Sequence, residues 1–155
     1  MYRKLACCLF VILFAGVLQA QSPRLSIRAA SVEPAEGWQM MQVEHCQTRC
    51  VVWVSPTAAL TASDIEKGQP EVNSNGDTRI AVVFTDAGAT KMRDLTKAQW
   101  QKHIALVLDG RLIWAPLIQA YFAGRESALT GNGPNGLTQE EVDLIMSILR
   151  RAQPR

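Results

Sequence analysis

Past residue 20 the chain has no apolar run approaching the ~20 residues that a membrane-spanning helix needs, so no stable membrane insertion is expected of that part. Net charge is missing as well. Residues 1–20 hold two of the 16 basic residues and none of the 14 acidic ones, which leaves 14 − 14 = 0 for the remainder. Nucleic acid is thereby excluded as a partner, because it demands a concentrated basic footprint, and so is a polybasic membrane surface.

Catalytic signatures are equally scarce. There is no Gly-x-Ser-x-Gly elbow and no His-Glu-x-x-His helix, and the histidines are His45 and His103, neither with an inferable serine or cysteine partner. Glu140, Glu141 and Asp143 fall in the first turns of a predicted helix, where carboxylates favour the unpaired amides and the dipole. Asp109 has a turn to make and Asp64 a helical turn to cap. A literal Gly131-Asn-Gly133-Pro-Asn-Gly136 fingerprint is present, but Pro134 removes an amide and the cap Thr138 starts the helix after the last glycine. It reads as a flexible loop. No enzyme activity, cofactor or metal is expected.

What is present begins with a charged start at Arg3 and Lys4, an apolar run from Leu5 to Leu18, and a cleavage site at Leu18-Gln-Ala20, together a secretory signal over 1–20. Fourteen residues at about 1.5 Å each reach only ~21 Å, short of a ~30 Å hydrocarbon core. Cleavage would leave 155 − 20 = 135 residues, enough for one domain with one core. Cys7 and Cys8 leave with the signal, and Cys46 and Cys50 remain. An oxidising compartment favours pairing them across the neck of a hairpin loop, a local staple worth roughly 2 kcal/mol. Two free thiols are the alternative, and a metal site a remoter one, since only His45 and His103 could complete a tetrahedron.

The alternation of Leu25, Ile27 and Ala29 with polar neighbours predicts a half-buried strand over 24–30. A strand pair around the cysteine loop should end at Ser55-Pro56, with Thr61 to Asp64 a short capped turn and Asn73 to Asp77 a turn cluster. Arg79 to Phe84 predicts a strand feeding a helix from Thr85 or Asp86, with Ala89, Met92 and Leu95 inward. Asp109-Gly110 between two apolar runs predicts a type I′ hairpin, with a third strand at 126–130 nearby. Thr138 and Glu141 are spaced as a capping box ahead of the stripe Val142, Ile145, Met146, Leu149. These elements predict an α+β fold: a mainly antiparallel sheet with two principal helices on one face, in a single domain.

The hairpin region also carries a family pattern. Thr96, Ala105-Leu-Val-Leu-Asp109-Gly110, Ala115-Pro116-Leu-Ile118, Gly124-Arg125 and Thr130-Gly131 resemble the first periplasmic head subdomain (P1 head) of SecD, a bacterial protein-export membrane subunit. Leu60 to Ile65 and Val82 to Ala89 look like that family too, so the resemblance covers about 58–151, after strands over 21–57. The chain departs from the pattern where the family has glycine and this sequence has Gln101, and where Ala123 replaces the first of a glycine pair. The resemblance implies an exported, periplasmic or secreted, protein-binding module, possible accessory to protein export, whose partner is an extended or partly folded polypeptide or a translocon or envelope component. No translocation motor is expected of this chain alone, because nothing after residue 20 supplies the apolar runs of the polytopic membrane half that follows the head in SecD. The rival reading is an envelope scaffold or oligomerisation module docking on one folded partner. Candidate partner-binding residues are Trp114, Arg125, Trp100, Tyr121 and Phe122, aromatics and arginine being the usual hot-spot residues. Pro116 beside Trp114 suggests a strand edge that could accept an extended polypeptide, the alternative being that Trp114 packs inward and Pro116 ends the pairing.

Overall fold

The computed structural model describes residues 24–46 and 50–153. The predicted signal over 1–20 lies outside them. The elements in order are β1 (Leu25–Ser31), β2 (Gln39–Gln42), β3 (Val51–Thr61), a short 3₁₀ turn (Ala62–Asp64), β4 (Ile65–Val72), β5 (Thr78–Phe84), α1 (Asp86–Ala98), β6 (His103–Leu108), β7 (Arg111–Trp114), β8 (Glu126–Leu129) and α2 (Gln139–Ala152). Strand pairing is antiparallel throughout the named strands. The fold is α+β as expected, with its strands divided into two sheets, β2-β3-β1-β6-β7 and β4-β5-β8. The strand at Glu126 is therefore not a neighbour of the hairpin it follows. It pairs with β5, in the other sheet.

Period-two patterning explains the layers. In β6, Ile104, Leu106 and Leu108 enter the main core with both helices, while Ala105 and Val107 face a second, smaller cluster with Ala30, Val43, Val52, Val54 and Leu112. The five-stranded sheet is thus covered on both faces. It curls until Val43, just past β2, bridges Leu112 of β7, and the Glu44 amide donates to the Leu112 carbonyl at 2.8 Å. Small β-branched residues suit this narrow interior. Phe84, Ile80, Ile113, Ile145 and Leu149 are essentially fully buried in the main core, each contributing roughly 1.5–3 kcal/mol by leaving water.

The local signals hold at most turns. Asp109 and Gly110 both take positive φ, 50° and 81°, as a type I′ turn requires. The Thr85 hydroxyl accepts from the Gly88 amide to start α1, and Thr138 and Glu141 form the reciprocal cap of α2. Asn73 ties its turn together by accepting from the Asn75 and Asp77 amides.

Two expectations are corrected, and one strand, β4, was not anticipated. β3 does not stop at Ser55-Pro56 but runs on to Thr61, because the register with β1 shifts between Arg28↔Ala58 and Ala30↔Val54, absorbing 55–57 as a bulge. A bulge tolerates proline's missing donor, and the Arg28 guanidinium donates to the Ser55 and Pro56 carbonyls left there. β4 carries too little apolar patterning to be read as a strand. As a sheet edge it admits Pro70, and α2 lies so close on it that a Cβ at Gly68 would come 2.5 Å from Leu149. The glycine loop 131–136 is pinned rather than flexible: the Thr78 amide donates to the Asn135 carbonyl at 2.8 Å and Leu137 returns a bond to Thr78 at 2.9 Å.

Candidate functional site

Loop 131–136 offers no anion cradle. The Gly133 and Gly136 amides donate to each other's carbonyls, and α2 opens only at Gln139. Asp64 is also spent, its carboxylate holding Lys91 at 2.7 Å and the Thr61 amide at 2.9 Å. His103 directs Nδ1 at the Ala115 carbonyl, 2.8 Å away, so that nitrogen carries the proton and positions the loop after β7. Among the described residues no group of three or more His, Cys, Asp or Glu could hold a metal ion.

Cys46 and Cys50 are joined by a disulfide with Cα atoms 6.0 Å apart, both half-buried against the smaller core. Beside them His45, at φ 55°, brings Nε2 to 3.6 Å from Oε1 of Glu141, which is buried to 1% exposure. Glu141 uses its other oxygen to cap α2, accepting from the Thr138 amide at 2.8 Å. The cavity beside this pair is lined by 42–46 and brings no nucleophile to it. The arrangement is a clasp between the disulfide loop and the start of α2.

The feature suited to recognition is formed by other residues, none of them in the disulfide clasp. A cavity of about 360 Å³ opens between the two sheets, with Phe84 and Met92 beneath, Leu106 and Trp114 on the five-stranded side, and β8 on the other. Its remaining wall is the segment 115–123, which leaves β7 and crosses to β8. That segment is anchored: Ile104 donates to the Pro116 carbonyl at 3.2 Å, Ile118 to Lys102 at 2.8 Å, and Gln101 to Ile118 at 3.0 Å. Pairing with the start of β6 therefore continues past Pro116. Gln101 adopts φ 57° to deliver its amide, a left-handed conformation at the position where the head pattern has glycine.

The predicted binding residues divide around this groove. Trp114 is half-buried, packed on the main core and facing the cavity. Phe122 stands edge-on to Phe84 with centroids 5.5 Å apart, its amide donating at 3.0 Å to the hydroxyl of buried Thr96. Tyr121 stands on the rim and meets Trp100 at a 48° tilt with ring centroids 4.8 Å apart, the two being 56% and 39% exposed. Leu117, 45% exposed, adds to this apolar rim and went unnoticed in sequence because a single leucine beside proline carries no pattern. Arg125 is occupied within the molecule: Nε donates to the Phe84 carbonyl at 2.8 Å and lies 3.4 Å from Asp86, and its terminal nitrogen pairs with Glu66. It ties β8 to β5, β4 and α1.

With this geometry in place, comparison with known proteins is informative. Residues 39–151 match the family described as SecDF, P1 head subdomain. The chain is 32% identical over 95 residues to protein translocase subunit SecD of Rhodobacter capsulatus, an alignment covering 61% of this chain and 17% of that protein. It is 30% identical over 91 residues to protein translocase subunit SecDF of Thermus thermophilus, covering 59% and 12%. A solved structure described as a membrane component SecDF that enhances protein export superposes with a TM-score of 0.62 at 23% identity, over 84% of this chain and 63% of that one. SecDF in its super-membrane-facing form gives 0.61 at 21%, over 85% and 19%. The two structural likenesses speak to fold. The chain spans less than a fifth of the length of these two curated relatives.

Proposed function

Because the chain belongs to the SecDF P1 head subdomain family, we propose that it is a non-catalytic, periplasmic protein-binding module accessory to protein export, and that the groove between β8 and segment 115–123 is where it holds polypeptide. The groove itself carries this reading. It combines an apolar floor with an exposed aromatic rim, the composition of interface hot spots, and it shares no lining residue with the disulfide clasp. The described residues contain no helix long and apolar enough to cross a membrane.

The test is a crosslinking pull-down of the tagged full chain from intact envelopes, with Trp114→Ala and Tyr121→Ala run beside it. Many heterogeneous exported proteins or translocon subunits, depleted in the variants, are expected. One dominant folded partner unaffected by both substitutions would overturn the reading in favour of a scaffold module. Arg125→Ala is unsuited to this purpose, since its guanidinium is committed to the fold.

A further inference from the structure

We propose that the polypeptide enters as an added β-strand on the free edge of β8, placing alternate apolar side chains in the cavity and a basic side chain beside Glu126. This rests on the reading of the groove above and adds how the chain is held. Strand addition near Trp114 was one of the two readings of Pro116, but that edge is in use: Leu112 of β7 already accepts from Glu44 and bridges Val43, and 116–118 pair onward with the start of β6. β8 has a partner on one side only, being the last strand of its sheet.

The ladder parity fixes which groups β8 offers. Phe84 donates to the Arg125 carbonyl at 2.8 Å, and the register continues as Val83↔Glu126, Val82↔Ser127, Ala81↔Ala128 and Ile80↔Leu129. Hydrogen-bonded and non-hydrogen-bonded pairs alternate in an antiparallel ladder. Ser127 and Leu129 therefore turn their main-chain groups to β5, and Glu126 and Ala128 turn theirs outward. The strand that carries these outward groups lines the same cavity as Leu106, Trp114 and Phe122. An extended backbone bonded there would point every second side chain into apolar space, and about 360 Å³ suits large side chains rather than a folded surface.

Charge narrows the occupant further. Around the start of β8, Arg125 faces Glu66 and Asp86, and Lys67 lies across Val83 from Glu126, for a local balance of 2 − 3 = −1. Asp86 is 93% exposed along its side chain and Glu126 is exposed, so this lip favours lysine or arginine next to the apolar residue.

The deciding experiment titrates the full chain with a fluorescent short peptide of alternating phenylalanine and serine flanked by lysines, scanned by single backbone N-methylation. Methyl groups on alternate residues should weaken binding about tenfold, as expected for losing a main-chain hydrogen bond, with the intervening positions unaffected. Ala128→Pro should weaken the parent peptide about tenfold, because its amide is outside the β5 ladder and an edge strand tolerates proline there. Exchanging the lysines for glutamates should weaken binding roughly threefold, and Glu126→Lys should abolish that preference. A methylation profile without period two, with binding still lost in Tyr121→Ala, overturns strand addition and leaves the groove reading intact. Failure of every such peptide to bind overturns both.

Discussion

Two regions of this molecule face the same difficulty, a strand with no neighbour, and resolve it differently. At the disulfide end the five-stranded sheet curls so that Val43 and Glu44 reach β7, with the Cys46–Cys50 ring and the His45–Glu141 contact holding the loop against α2. Small residues fill the interior that results. At the groove end β8 keeps its outer edge unpaired beside large apolar side chains. Closure needs a narrow core and a short tether; an open edge needs a rigid floor so that it stays open without collapsing. The contrast teaches that the two ends of the main core treat an edge differently: the curled sheet closes on itself around small residues, while β8 stays open beside the cavity.

The comparison breaks most visibly at the floor. Phe84→Ala should cost about 3–5 kcal/mol in denaturant unfolding, since Phe84 is fully buried and supports both Phe122 and the cavity. A loss below about 1 kcal/mol would mean the groove end can collapse, contrary to the rigid floor proposed. Next in size is the tether. Cys46→Ser with Cys50→Ser should lower stability by about 2 kcal/mol and speed hydrogen exchange at the Glu44 amide, while peptide binding at the groove persists. Parallel loss of binding would show the two ends to be one cooperative unit. The smallest effect sharpens the boundary of the groove: Gln101→Gly should raise stability by about 0.5–1 kcal/mol, the relief of the left-handed backbone less the entropy that glycine adds to the unfolded chain. A decrease in the melting temperature would show that the Gln101 side chain contributes more than its backbone costs.

How much of this was legible beforehand depended on the range of the interaction concerned. The Asp109-Gly110 turn, the Thr85 and Thr138 caps and the Asn73 turn were readable because their bonds span four residues or fewer. β4 was not, because Lys67, Gly68, Gln69 and Pro70 make a strand only where β5 supplies the ladder and Leu149 covers the glycine. The Ser55-Pro56 stop failed for a similar reason, the bulge being set by Arg28 some 27 residues away. Among the binding candidates, type was visible but role was not: Tyr121 stands on the rim against an exposed Trp100, whereas Arg125, equally attractive as a hot-spot residue, is consumed by Phe84, Glu66 and Asp86.

The sequence by itself determined the α+β class, the type and approximate limits of both helices, the β6–β7 hairpin and the family likeness, because local propensity and side-chain period are properties of neighbouring residues. Tertiary structure alone decided that the strands divide between two sheets, that β2 and β7 meet, and that β8 is left open beside a cavity. Those outcomes depend on contacts between residues distant in the chain, and no local pattern specifies which edge a folded sheet will leave unpaired.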